Sequence, residues 1–323
     1  MRSGLLLSAF LTIVGSGCVN AAMAADAWPE HTVRIIVPFP AGGAVDIAAR
    51  ILAEGLAKRW DRTVVVENKP GGETTIGVTA FVGARDNHTL LYTTFGTLSV
   101  APLTVDKLPF DPKNDLVPLV PVASIVVGLA VTNALSVKTL AELEAAIRAK
   151  PGQLAWSSAP TLPRYAFATF LKQRGLEMNF VAYRDNSQPQ ADLGENRIQA
   201  LITALPASAS VVSSGKARLI AITEPRRSRL VAEVPTASEA GYDELTFIGG
   251  VGLFGWKDMP DGLRNRIVAD TNTVLTETAV AERLKATGQQ VIGGGPDILV
   301  RLIDQQTARV LEMSKSIDLK SAR

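Results

Sequence analysis

The chain has very few of the side chains on which metal sites and thiol chemistry depend. It contains one cysteine, Cys18, and only two histidines, His31 and His88. Neither histidine belongs to a group of Cys, Asp, Glu and His residues at the spacing of metal ligands. We therefore expect no metal site.

The chain also lacks the familiar motifs of catalysis and nucleotide binding. No GxSxG segment is present, so the usual nucleophile of an α/β-hydrolase is missing. The glycine turn PFPAGG at 38–43 matches neither GxGxxG nor GxxxxGK[ST], which argues against a dinucleotide site or a P-loop there. Ser157-Ser158 and Ser213-Ser214 are conceivable nucleophiles, but hydrogen bonding at strand and helix ends explains such serines better. We expect a non-enzymatic protein without a cofactor.

Neither sign of charge dominates. The 33 basic residues nearly balance the 31 acidic ones, so no electrostatic footprint for nucleic acid or an anionic membrane surface is visible. The short basic run at 226–229 has no aromatic platform beside it, and we interpret it as a solvated loop. With 47% hydrophobic and 20% charged residues, the composition predicts a globular protein large enough for two domains.

The first residues have the pattern of a secretory signal peptide. Arg2 precedes an apolar stretch at 5–14, and small residues follow, ending in Ala22-Met23-Ala24. This pattern predicts a periplasmic protein cleaved after Ala24, and the apolar stretch is too short for a stable membrane anchor. Lipid attachment at Cys18 is the less favoured alternative, because Gly15 stands where a leucine-type residue normally precedes a lipidated cysteine.

The stretch 33–52 predicts a strand, a tight loop and a helix. The apolar run Val33 to Val37 leads into the turn PFPAGG, and the following residues have an apolar face at helical spacing. Gly42-Gly43 allows close approach to the backbone, and the helix begins with unpaired N–H groups that suit an anion. Taken alone, a simple chain reversal explains these glycines better.

Strands alternate with helices along the next hundred residues, which predicts a parallel sheet with helices on both faces. Loops at 38–46, 68–75 and 94–97 each follow a strand and should emerge at the carboxyl edge, where such sheets bind ligands. A second alternating set follows a long apolar run, 119–131, that can cross between domains. The predicted organisation is a signal peptide at 1–24, domain one at 25–125 plus 224–323, and domain two at 126–223.

Several segments together resemble the Bug family, the extracytoplasmic solute receptors of tripartite tricarboxylate transporters. They are RIIVPFPAGGAVDIAARILAEGLAKRW (34–60), VVVENKPGG (64–72), LPFDPKNDLVPL (108–119), KTLAELEAAIRAKPGQL (138–154), GKARLIAIT (215–223), RRSRLVAEVPTASEAG (226–241) and GLFGW (252–256). The resemblance covers essentially the whole chain after the signal peptide.

The resemblance implies an α/β type II periplasmic-binding-protein fold, in which two α/β domains joined by hinge strands close around a small organic acid. It also implies membrane transporter subunits as partners, and we expect a monomer. Ligands of the family are carboxylates such as di- and tricarboxylates, acidic amino acids or aromatic acids. By position, the ligand-binding residues implied are Phe39, Ala41, Gly42, Gly43, Asp46, Thr75, Thr94, Phe95, Thr97, Ser158, Thr161, Tyr183 and Leu205.

The sequence departs from the family pattern at three places. Glu73 adds an acid beside a site expected to hold an anion, the loop 158–165 has an unusual sequence, and Thr203 replaces an aspartate common in the family. An acidic amino acid is therefore less well supported as the ligand. We hypothesise that Arg164 either pairs with a second ligand carboxylate or meets Glu73 across the closed cleft. A solvent-facing Arg164 is the plain alternative.

Two other functions stay open from the sequence. The first is a secreted serine-dependent hydrolase or transferase on a similar two-domain scaffold. The second is a ligand-loaded partner of a membrane sensor kinase, which would bind solute without a transporter. The identity of the ligand does not follow from the sequence.

Overall fold

The computed structural model describes residues 28–159, 162–183 and 188–320, which form two β-sheets flanked by helices. The strands are β1 (Val33–Val37), β2 (Val64–Asn68), β3 (Thr89–Thr94), β4 (Leu116–Ile125), β5 (Val127–Thr132), β6 (Ala155–Ser158), β7 (Asn179–Phe180), β8 (Ala200–Ala204), β9 (Ala217–Ile222), β10 (Gly249–Trp256) and β11 (Gln289–Val291). The predicted signal peptide, Cys18 and Thr161 lie outside the described residues.

Ten helices are seen in the described part of the chain. They are α1 (Ala44–Trp60), α2 (Thr75–Ala84), α3 (Phe95–Thr104), α4 (Leu140–Ala149), α5 (Leu162–Gln173), α6 (Gln188–Gly194), α7 (Pro206–Ser213), α8 (Asp261–Thr276), α9 (Thr278–Ala286) and α10 (Pro296–Ser314). None of them combines the length and apolar character needed to cross a membrane.

The first sheet has the strand order β11-β4-β10-β3-β1-β2. Strand β1 is parallel to β2 and β3, so the loops that follow these three strands emerge at one edge, as the sequence predicts. The parallel arrangement predicted for these three strands is confirmed. For the other half the sequence predicts no strand direction, and there β10 runs antiparallel to β3 and β4, and β11 runs antiparallel to β4. The sheet is therefore mixed.

The second sheet has the order β7-β6-β8-β5-β9. Strands β6, β7 and β8 are parallel, while β5 runs antiparallel to β8 and β9. The carboxyl ends of β6 and β8 consequently share one edge, as those of β1 and β3 do in the first sheet.

The chain crosses between the sheets twice. Only Val126, which is fully buried, separates β4 from β5, and the chain returns between β9 and β10. The two crossings lie side by side, because the Thr223 N–H donates to the Val127 carbonyl at 3.0 Å. The domain boundaries that we place at 126 and 224 fall at these crossings and stay a prediction.

The sequence-based assignment missed two helices. The sequence predicts a polar loop at 94–97, but Thr94 is the N-cap of α3, and its hydroxyl accepts a hydrogen bond from the Thr97 N–H. Helix α7 has no counterpart in the prediction either. Both sequences are poor in strong helix formers, since α3 contains Gly96 and Pro102 and α7 is mostly serine and valine. Tertiary packing therefore decides their conformation.

Candidate functional site

A cavity of about 390 Å³ lies between the two sheets. Its wall includes residues from the loop after β1 and from the start of α3 on one side, and from the ends of β6 and β8 on the other. The chain crossing contributes Ile125 and Val127, and the start of β10 contributes Gly249 and Gly250. The carboxyl ends of parallel strands in both halves thus converge on one cavity, the usual ligand position in such sheets.

The turn between β1 and α1 is organised by Asp46. Its carboxylate accepts hydrogen bonds from the Gly42 N–H (2.8 Å), from Arg50 Nε (3.1 Å) and from Asn68 Nδ2 (2.8 Å). Burial alone would raise the pKa of this carboxyl, but the three hydrogen bonds outweigh it and lower the pKa. Asp46 therefore acts by holding the turn, and it does not line the cavity.

Four helices of eight or more residues begin at the cavity wall. They are α1 at Gly43, Ala44 and Val45, α3 at Thr94 and Gly96, α5 at Leu162 and Pro163, and α7 at Pro206 and Ala207. Helix α1 has Gly43 as its N-cap, and no side chain there caps the first turn. Its first N–H groups have no partner within the helix, and they combine with the positive end of the helix dipole. The cavity wall therefore favours an anion.

Ser158 presents a hydroxyl without a partner at the cavity wall. Its Oγ is buried and makes no hydrogen bond with any group that the structure describes. A buried polar atom of this kind is costly unless a ligand or water satisfies it. The hydroxyl is thus a candidate donor to a ligand oxygen.

The β3–α3 region divides its predicted ligand residues between the wall and the interior. Thr94 lines the cavity, whereas Thr97 is buried behind it, with its hydroxyl 2.9 Å from that of Thr93. Phe95 is also buried, and its ring packs against Gly250, where an added Cβ would lie 2.2 Å from ring atom Cε2. Phe95 therefore supports the wall from behind.

On the side of the second sheet, the wall presents mainly apolar surface. Tyr183 lines the cavity with its ring, because its hydroxyl donates to Asp192 at 2.7 Å; burial, followed by this hydrogen bond, raises the Tyr183 pKa. Thr203 also lines the cavity. Leu205 lies behind the wall, where it packs with Val126 and neighbouring apolar residues.

Arg164 and Glu73 meet across the cleft. Arg164 Nη1 donates to Glu73 Oε1 at 2.8 Å, and the two side chains are only 13% and 22% exposed. The Tyr165 hydroxyl donates to Glu73 Oε2 at 3.3 Å, and the Arg164 guanidinium carbon lies 4.6 Å from the centre of the Phe180 ring. The sequence leaves three partners open for Arg164: a ligand carboxylate, Glu73 or solvent. In the structure Arg164 pairs with Glu73.

The predicted site residues therefore divide into two groups. Those that line the cavity are Phe39, Gly42, Gly43, Thr94, Ser158, Arg164, Tyr183 and Thr203. Those that stand behind or beside it are Ala41, Asp46, Glu73, Thr75, Phe95, Thr97 and Leu205. The Thr75 hydroxyl is used within its own turn, because it donates a hydrogen bond to the Gly72 carbonyl at 2.6 Å.

Sequence reasoning missed most of the apolar lining. Ile47, Val127, Leu201 and Phe247 face the cavity along with the backbone of Gly250. The only sequence signal for Val127 was the long apolar run that crosses between the sheets. Phe247 carried no signal, because its position depends on the return crossing.

No cluster of three or more His, Cys, Asp or Glu side chains that could hold a metal ion occurs in the described ranges. Arg164 is the only charged residue among the described residues that line the cavity. The site is therefore suited to binding through backbone N–H groups, hydroxyls and apolar contacts.

The chain is similar in sequence to receptors of a transporter family. A sequence profile described as "Tripartite tricarboxylate transporter family receptor" matches residues 48–319. A UPF0065 protein of Pseudomonas sp. (strain P51) is 31% identical over 291 residues, which cover 88% of this chain and 85% of that protein.

Two solved structures share the fold. One, described as a periplasmic transporter, is 27% identical with a TM-score of 0.84, and the alignment covers 91% of this chain and all 100% of the other. The second is an R. palustris protein described with adipate, 25% identical with a TM-score of 0.83, covering 90% of this chain and 98% of the other. The architecture is that of two-domain periplasmic binding proteins.

Proposed function

Because the chain belongs to the tripartite tricarboxylate transporter receptor family, we propose that it captures a small carboxylate-bearing solute and delivers it to membrane transporter subunits. The observation that carries this proposal is the convergence of four helix N-termini on one cavity, with an unpartnered Ser158 hydroxyl beside them. A carboxylate is the simplest small anion that accepts several such hydrogen bonds at once.

The ligand carboxylate is proposed to lie at the start of α1. There the N–H groups of Gly43, Ala44 and Val45 are available, and Ser158 approaches from the second sheet. Micromolar binding needs about 8 kcal/mol, and a hydrogen bond to a charged group contributes roughly 1.5 to 3 kcal/mol. Four or five such bonds and the apolar wall are enough to reach this affinity after association costs.

We further propose export to the periplasm with cleavage after Ala24, a monomeric receptor, and no catalysis. The adipate-bound R. palustris relative supports a carboxylate ligand. The missing GxSxG motif argues against a serine hydrolase. A role as partner of a membrane sensor kinase needs the same binding step and differs only in the membrane protein that it meets.

The test is a thermal-shift screen of the purified protein with mono-, di- and tricarboxylates, followed by calorimetry on each acid that raises the melting temperature. We expect at least one acid to bind and to be recovered chemically unchanged. Conversion of the acid would favour the hydrolase alternative. Failure of every carboxylate to bind would overturn the proposed function.

A further inference from the structure

We propose that this receptor selects monocarboxylates, because Glu73 already occupies the place on Arg164 that a second ligand carboxylate would take. The inference rests on the proposed function, in which the cavity binds a carboxylate through the helix N-termini. It concerns the other end of the ligand.

The positive charge of Arg164 in the cavity wall is neutralised by a carboxylate of the protein itself, that of Glu73. Arg164 is the only charged residue among the described residues of the wall, and its Nη1 lies 2.8 Å from Glu73 Oε1. Tyr165 holds the second oxygen of Glu73 at 3.3 Å, and the Phe180 ring lies against the guanidinium. Both partners are therefore fixed from more than one side.

Apart from Arg164, the described part of the wall offers no cation to a second charge. Ile47, Val127, Leu201 and Phe247 present apolar surface to the cavity. A second carboxylate would lose its water there without gaining a cation, and burying an unpaired charge is unfavourable. It would also be repelled by Glu73. An apolar chain or ring, in contrast, gains from burial.

A dicarboxylate does not gain affinity by displacing Glu73 from Arg164. If a ligand carboxylate took over Arg164, the Glu73 carboxylate would stay partly buried with only the Tyr165 hydroxyl as a described partner. Breaking a buried pair in this way leaves one charge uncompensated. The ion pair therefore competes with any second ligand carboxylate.

The test compares matched acids by calorimetry: hexanoate with adipate, and benzoate with terephthalate. We expect the wild-type protein to bind the monocarboxylate of each pair at least about tenfold more tightly. In Glu73→Gln the guanidinium charge is no longer balanced, and a hydrogen bond to a charged group is worth about tenfold or more in affinity. The dicarboxylate should therefore gain at least about tenfold relative to the monocarboxylate.

Because the comparison uses a ratio of affinities, any effect of Glu73→Gln on domain closure cancels. The matched control is Glu67→Gln, which removes a carboxylate paired with Lys69 at 2.8 Å that does not line the cavity. The control should leave the ratio unchanged. Arg164→Met is an independent test. In this variant the ratio of hexanoate affinity to adipate affinity should be the same as in the wild-type protein.

The proposed selectivity would be overturned if the wild-type protein bound adipate as tightly as hexanoate and terephthalate as tightly as benzoate. That result would leave the proposed carboxylate binding intact. An unchanged ratio in Glu73→Gln, or a selective loss of dicarboxylate binding in Arg164→Met, would also overturn it. Failure of all four acids to bind would instead overturn the proposed function, together with this inference.

Discussion

Glu73 and Arg164 are 91 residues apart in the sequence, yet their side chains form a 2.8 Å ion pair across the cleft. Glu73 precedes α2, next to the first sheet, and Arg164 lies in the first turn of α5, next to the second. The pair therefore joins the two halves of the protein directly. This contact has consequences for closure as well as for selectivity.

We expect Arg164→Met to open the ligand-free protein. A part-buried ion pair across a cleft contributes about 1–2 kcal/mol, between the values for exposed and buried pairs. Its loss lowers the closed population and, with it, the affinity for a monocarboxylate by about tenfold. Small-angle scattering should show a larger radius of gyration that falls again when ligand is added.

The control for this experiment is Arg197→Met. Arg197 pairs with Asp192 at 2.8 Å and with Glu195, both close to it in the sequence and within the same half of the protein. Its loss should leave the radius of gyration unchanged. Identical scattering from Arg164→Met and wild type would contradict the role of the cross-cleft pair.

We expect Ser158→Ala to weaken binding without destabilising the free protein. The hydroxyl is buried and has no described partner, so its removal should leave the free energy of unfolding unchanged or slightly higher. Loss of a hydrogen bond to a ligand carboxylate should reduce affinity by about tenfold. Calorimetry and denaturant unfolding measure the two effects separately.

Thr169→Val is the matched control for Ser158→Ala. The Thr169 hydroxyl is also buried without a described partner, but it lies within α5 and does not line the cavity. Its removal should not change affinity. Equal affinities of Ser158→Ala and wild type would argue against a contact between Ser158 and the ligand.

We expect Ala44→Pro to remove one anion-binding N–H while keeping α1 intact. Ala44 is the first residue of the helix, where proline is tolerated, and Gly43 has the extended conformation that a residue before proline prefers. Affinity should fall by about tenfold because one charge-assisted hydrogen bond is lost. Thr278→Pro at the start of α9, which does not line the cavity, should leave affinity unchanged.

We expect His88 to make stability depend on pH. Its Nε2 accepts the Glu30 N–H at 3.0 Å, its Nδ1 lies 2.7 Å from Asn87 Oδ1, and its ring stacks on His31. Burial first, and then neighbouring His31, lower the His88 pKa, while Glu30 and Asp86 oppose the shift. The folded protein therefore holds His88 neutral at a pH where the unfolded chain already binds a proton.

The sign of this effect follows from proton binding. Below the ordinary pKa of 6.5, the unfolded state binds more protons than the folded state, so stability is complete above that pH and declines as the pH falls. The slope for one proton does not exceed about 1.4 kcal/mol per pH unit. Denaturant unfolding between about pH 5.5 and 7.5 should show a shallower slope in His88→Gln than in wild type. Equal slopes would contradict the assignment to His88.

The sequence supports the prediction of the strand–turn–helix units well, because their signals are local. Arg34 is the only polar residue in the strand Val33–Val37, which is almost wholly buried. Gly42 has the positive φ that its place in the turn requires. Thr139 is the N-cap of α4, and its hydroxyl accepts a hydrogen bond from the Glu142 N–H three residues later. Such features depend on a few neighbouring residues.

What could not be predicted depends on long-range contacts. The antiparallel placement of β10 follows from the return crossing, for which no local motif exists. The family resemblance implies Phe95 as a ligand-binding residue, but its ring packs in the interior beside Gly250. The choice between a ligand and Glu73 as the partner of Arg164 likewise required the relative position of the two sheets.

The most direct test of the account is a crystal structure of the protein with bound hexanoate or benzoate. We predict that the ligand carboxylate oxygens lie within hydrogen-bond distance of the N–H groups of Gly43 to Val45 and of Ser158 Oγ, with the Glu73–Arg164 pair intact. A ligand carboxylate on Arg164 with Glu73 displaced would contradict the account.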